Sequence, residues 1–326
     1  MSRILKYKES LHKFIKDKSC LMENSDTDSQ INNFLYDKIK DNDMTFPILL
    51  LTVMNNQNKK NHMTMQGYYV ASCISFLSLL LFLLENKNSI VAQFNNDLFN
   101  KMTNKLFICV NKSLQQNMES IKSTYQNQPQ NFVNIIINSL NITNNTLKII
   151  NTFTEYSPVI SNVNCNTDII NWYLKTDTVL INKFKTFKQV TKESLQLYID
   201  KKYISICEAS ISLGWIIGGG DIKNVAKLKK SAKFFGTMYK LSKDFENLNS
   251  DISDGNKYTN NYVVNLGLQN SYEAFLTNKE KFIEESMISD TYTNTIKEII
   301  DLIEVNIDTI IDQTSPDLKS SYSSKK

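Results

Sequence analysis

The stretch that decides the fold is Lys202 to Asn247, KYISICEASISLGWIIGGGDIKNVAKLKKSAKFFGTMYKLSKDFEN. Its first part, ending at Leu213, has the apolar spacing of a helix and runs into four clustered glycines, Gly214, Gly218, Gly219 and Gly220. No Gly-Lys-Ser/Thr follows the cluster, so it is not a phosphate loop, and close helix packing followed by a turn explains it better. Beyond it, Val225, Leu228, Ala232, Phe235, Tyr239 and Phe245 recur every three to four residues or so. That period predicts a long amphipathic helix over 221–248.

The rest of the chain reads the same way. Its 326 residues hold 8 Gly and 4 Pro, and so few breakers argue for long helices. Helices are predicted over 1–18, 31–39, from Phe46-Pro47 onward, 64–84, 96–122, 132–153, from Ile169, 191–213, 271–286 and 292–312, with polar loops between them. A loop is expected over 249–261 and a disordered tail over 313–326. Without an internal repeat or a linker, 1–312 reads as one all-α domain. Gly67 to Leu84 holds no charge and just reaches the length of a membrane span, but its serines favour a buried core helix.

Composition excludes several functions. A net charge of +4, spread along the chain, is too weak for nucleic acid. His12 and His62 are the only histidines, too few for a histidine metal site or a catalytic triad. The five cysteines are scattered and imply free thiols in a reducing, cytoplasmic setting. Arg3 is the only arginine, so the side chain best suited to bidentate diphosphate binding is almost missing. The lysine bias and Asn-rich runs such as NNQNKKN (55–61) fit an AT-rich genome, such as that of a large DNA virus or a protist.

Lys202, Gly214 with eleven residues between them, and Gly236 before an acidic helix end resemble the second half of the trans-isoprenyl diphosphate synthase (polyprenyl synthetase) family. The resemblance is specific over 202–247 and loose over 30–310. It implies an all-α, isoprenoid-synthase-like helical bundle around a central cavity. Enzymes of that family carry two Asp-Asp-x-x-Asp motifs, whose first and last aspartates share a helix face and hold magnesium on the substrate diphosphate. The second motif here reads Lys243-Asp244-Phe245-Glu246-Asn247, with Lys243 and Asn247 at the metal-binding positions. The residue before it that is glutamine in the family is Lys240. The first motif falls at Glu85-Asn86-Lys87-Asn88-Ser89, with Glu85, Asn86 and Ser89 in the aspartate positions. The family's Gly-Lys-Arg diphosphate cluster falls at Asn42-Asp43-Met44, upstream of Pro47.

A single electrostatic donor is worth about 10²–10³ in rate, so losing most of the constellation predicts loss of prenyl transfer. The resemblance then implies a degenerate interaction or regulatory subunit with no metal and no cofactor. It would be a homodimer or a heteromer with a related subunit, with an isoprenoid or lipid as the possible ligand, and it would bind neither nucleic acid nor membrane. Two alternatives stay open. One is a divergent prenyltransferase or isoprenyl diphosphate binder, with magnesium if active and Lys202, Lys240 and Lys243 as an anion pocket. The other is a membrane-associated structural protein.

Overall fold

A computed structural model describes residues 2–23, 29–57, 64–125, 195–196, 199–253, 261–316 and 319. The helices expected over 132–153 and from Ile169, most of the start of the 191–213 helix, and the end of the tail lie outside these residues. The described residues form helices and turns, with no strand among them. Contacts divide the chain into two compact units, Met1–Ile169 with Ala209–Val225, and Ile170–Glu208 with Ala226–Lys326.

In the first unit the described helices are α1 (Arg3–Lys18), α2 (Ser29–Asp41), α3 (Thr45–Gln57), α4 (Thr64–Glu85), α5 (Lys87–Phe94) and α6 (Asn96–Tyr125), with a 3₁₀ turn at Cys20–Met22. Most of α7 (Ser205–Ile217) belongs here too. Pro47 lies in the first turn of α3, where its missing N–H costs nothing. Every residue of α3 from Phe46 to Met54 is buried, as expected of a helix apolar on all sides. The apolar helix α4 packs against α3 and α6. Among the described residues it alone is long and apolar enough to cross a membrane, yet 78% of Gln66–Leu83 is buried within the fold. Each fully buried Leu, Ile or Phe here is worth roughly 1.5–3 kcal/mol. Amphipathic helices cover this pair, α1 through Leu11 and Ile15, and α2 through Ile31, Leu35 and Ile39.

The glycines of α7 explain their own placement. A Cβ on Gly214 would strike the carbonyl oxygen of Leu50 in α3, and one on Gly218 would lie 2.6 Å from that of Met54. Two helices can approach this closely only where side chains are absent. The helix then ends in a Schellman turn. Gly220 N donates to Trp215 O at 2.8 Å, Gly219 N donates to Ile216 O at 3.0 Å, and Gly219 has φ +89°.

The second unit holds a π-helical turn at Asp200–Ile204 leading into α7, then α8 (Val225–Glu246), α9 (Leu248–Ser253), α10 (Tyr262–Leu266), α11 (Leu268–Ile288) and α12 (Asn294–Gln313). Helix α8 buries Leu228, Ala232, Phe235, Met238, Leu241 and Phe245. Phe235 meets Phe282 of α11 edge-on, with ring centroids 4.9 Å apart. Ile296, Ile299, Ile300 and Ile307 form the buried stripe of α12.

Two elements differ from the sequence reading. The short helix α5 follows Glu85 directly and ends at Asn95, whose φ of +73° turns the chain into α6. Helix α9 begins at once after α8 where a loop is expected, because Asn247 O accepts from Asp251 N at 2.9 Å and carries the helical pattern across the junction.

Candidate functional site

The C-terminal half of α8 carries Lys240 and the residues 243–247 that the resemblance compares with the second motif. Lys240 and Asp244 are one helical turn apart, and both are buried, at 5% and 3% exposure. Their side chains form an ion pair. The other carboxylate oxygen, Oδ2 of Asp244, accepts from Tyr262 N at 2.9 Å at the start of α10. Asn261 completes the junction. Its Nδ2 donates to Asp244 O at 2.7 Å and to Asp251 Oδ2 at 2.8 Å. Its Oδ1 accepts from Val263 N at 2.9 Å and Val264 N at 3.1 Å, capping α10. Burial pushes the Asp244 carboxyl above its ordinary range, against the ammonium of Lys240 and the N–H of Tyr262, which favour its ionised form.

The flanking motif positions face elsewhere. Lys243 Nζ lies 2.7 Å from Glu246 Oε2 and over the ring of Tyr239 at 5.4 Å. Glu246 Oε1 accepts from Asn306 Nδ2 of α12 at 2.8 Å. Asn247 is exposed at the α8–α9 junction.

Lys202 lies in the π-helical turn, with its ammonium 4.6 Å from the Tyr203 ring centroid. Lys240 lies 5.8 Å from the same ring, and the rings of Tyr203 and Tyr239 are 6.1 Å apart. Lys202, Lys240 and Lys243 are thus gathered around a tyrosine pair, while Lys240 also serves Asp244. Gly236 permits this arrangement: a Cβ there would stand 2.9 Å from Ile204 Cα, at the end of the same turn.

The segment of the first motif is built otherwise. Glu85 is the last residue of α4. Asn86 Nδ2 donates to Phe82 O at 2.8 Å and ends that helix. Lys87 is buried, with its ammonium 5.6 Å from the Phe99 ring centroid, and Ser89 is exposed. Residues 42–44 make a capping turn. Asp43 Oδ1 accepts from Thr45 N at 3.0 Å, Asn42 Oδ1 accepts from Met44 N at 3.1 Å, and Met44 is buried with φ +58°.

A magnesium ion wants several carboxylate oxygens converging on one point. At 243–247 the i and i+4 positions are an ammonium and an amide, and both oxygens of the intervening Asp244 already have hydrogen-bond donors. Among the described residues no group of three His, Cys, Asp or Glu side chains converges on a common point. The donor set does not fit the metal.

The sequence reading missed Asn261, Tyr262, Asp251, Tyr203, Tyr239 and Asn306 as parts of this cluster. One signal was available, the Asn at the end of a polar loop just before an apolar run, which is a helix cap.

No family model matches the sequence, and no curated protein matches it. Solved structures do. A geranyltransferase from Legionella pneumophila superposes with TM-score 0.61 at 12% identity, covering 94% of this chain and 96% of that one. The geranyltranstransferase of Thermotoga maritima gives 0.60 at 12%, covering 95% and 99%. A geranylgeranyl pyrophosphate synthetase from Geoglobus acetivorans gives 0.59 at 12%, covering 93% and 97%. At such identity the likeness concerns architecture, and this chain has the all-α isoprenoid-synthase fold.

Proposed function

We propose that this chain keeps the fold of a prenyltransferase without its chemistry, and serves as an interaction or regulatory subunit, alone as a homodimer or beside a related chain. One observation carries the reading. Asp244, the aspartate that remains in the second motif, is buried, ion-paired with Lys240 and bonded to the backbone of Tyr262. A carboxylate so engaged joins α8 to α10 and is not presented to a metal–diphosphate complex. Helix α4 lends no support to a membrane role, because its apolar surface faces the core. The same reading places the protein in a reducing, intracellular compartment.

A second reading, an isoprenyl diphosphate binder or divergent prenyltransferase, is favoured by the gathering of Lys202, Lys240 and Lys243 around Tyr203 and Tyr239. Incubating the purified chain with allylic and homoallylic diphosphates and Mg²⁺ separates the two. The first reading expects no product, and turnover abolished by Asp244→Ala overturns it. Magnesium-independent diphosphate binding, weakened by Lys243→Ala, would establish the second. Recovery of a related subunit with the tagged chain would identify the partner.

A further inference from the structure

The cysteines are scattered in sequence, but the fold brings two of them together. Cys20, in the 3₁₀ turn after α1, and Cys109, in the middle of α6, have their sulfurs 3.3 Å apart. The residues are 89 positions apart, so only the tertiary fold makes this contact. Both are buried, at 1% and 0% exposure, and both are free thiols. We propose that Cys20 and Cys109 are a redox-active dithiol, a modification site that closes to a disulfide when a small disulfide reaches it, and so locks the α1–α2 connection onto α6.

Three features support the site. A disulfide needs an S–S distance of about 2.05 Å, so the sulfurs must approach by only about 1.3 Å. One partner is on a three-residue turn, an element that shifts more easily than a helix. An open groove of about 650 Å³ is lined by Ser19, Met22 and Glu23 on either side of Cys20, so a small oxidant can reach the turn, and a shift of the turn then exposes the Cys20 sulfur. The surroundings also separate the roles of the two sulfurs. The Cys109 thiol, with Lys112 and Lys105, draws the Cys20 thiol below its ordinary range against the opposing effects of burial and Glu23. Cys109 moves the other way, because it donates to an ionised Cys20 and is itself buried. Cys20 is then the attacking thiolate and Cys109 the resolving thiol. Cys73 and Cys207 are fully buried, with thiols pushed up by burial, and they stay inert.

With a small disulfide as oxidant the chemistry closes. The Cys20 thiolate attacks one sulfur, the small S–S bond breaks, and the departing thiolate takes up a proton. Cys109 then loses its proton and attacks Cys20 Sγ, and the second small thiol leaves. Two protein thiols and one small disulfide become one protein disulfide and two small thiols.

The test treats the folded full chain with oxidised glutathione and follows intact mass, native thiol titration and non-reducing peptide mapping. The expected product has lost two hydrogens and two titratable thiols, contains a peptide linking Cys20 to Cys109, and reverts with dithiothreitol. Cys109→Ser is expected to stop at one bound glutathione on Cys20. Cys20→Ser takes up none at Cys109, and Cys73→Ser behaves as wild type. Circular dichroism confirms that each variant is folded. An unchanged mass in the folded wild type, a disulfide to any other cysteine, or an equal glutathione load on both serine variants would overturn the proposal.

Discussion

The ends of α4 and α8 are the two places where the resemblance to trans-isoprenyl diphosphate synthases would put aspartate-rich motifs, and they are built in different ways. At the end of α8 a carboxylate remains, and a charge, a backbone N–H and a second helix are organised around it. At the end of α4 there is a local stop, made by one Asn86 bond to its own helix and followed directly by α5. The first is a tertiary node and the second is a helix terminus. The difference lies in burial. A carboxylate left inside a fold must be neutralised and hydrogen-bonded, whereas the half-buried amide of Asn86 needs only a carbonyl of its own helix.

The sharpest break in this comparison is Lys240→Met. It leaves Asp244 as an uncompensated buried carboxylate, and urea unfolding should show a loss of about 3–5 kcal/mol. Adding Asp244→Asn, which removes the charge but keeps an acceptor for Tyr262 N, should recover at least about 1 kcal/mol of that loss. The deficit also depends on pH in a defined direction. Burial raises the folded-state pKa of Asp244 above its unfolded value, so folding favours its protonated form. What the group contributes is therefore greatest at low pH and is lost as pH rises through the folded pKa. Without Lys240 that pKa rises further, so the Lys240→Met deficit should narrow between pH 7 and about pH 4.5.

A smaller effect tests one close glycine contact in each unit. Gly214→Ala sets a methyl against the Leu50 carbonyl, and Gly236→Ala sets one 2.9 Å from Ile204 Cα. Each should cost about 1–3 kcal/mol despite the better helix propensity of alanine, with Gly214 the more severe because a helix carbonyl cannot move aside. The smallest effect belongs to the α4 end. Asn86→Ala removes one side-chain bond and should cost no more than about 1 kcal/mol in the same assay. A loss at Asn86 as large as that at Lys240 would erase the distinction between node and terminus.

Among the described residues most of the helices were legible because few glycines and prolines interrupt strong apolar periods. Helix α5 was not, since eight residues are too few to show a period and the break before it is a single Asn. Half of the node was legible as well: Lys240 and Asp244 are spaced i, i+4, the distance at which opposite charges on a helix meet. The other half, Asn261 and Tyr262, lies 17 and 18 residues beyond Asp244 and arrives through tertiary folding. The contact of Cys20 with Cys109 was invisible for the same reason.

The proposed role requires Asp244 to be a structural carboxylate and not a metal ligand. Calorimetric titration of Mg²⁺ into the full chain in the presence of inorganic diphosphate tests it most directly. After subtraction of the same titration into diphosphate without protein, no saturable Mg²⁺-dependent heat is expected in the wild type, and a folded Asp244→Asn variant should give the same trace. A saturating Mg²⁺-dependent isotherm that Asp244→Asn abolishes would contradict that role.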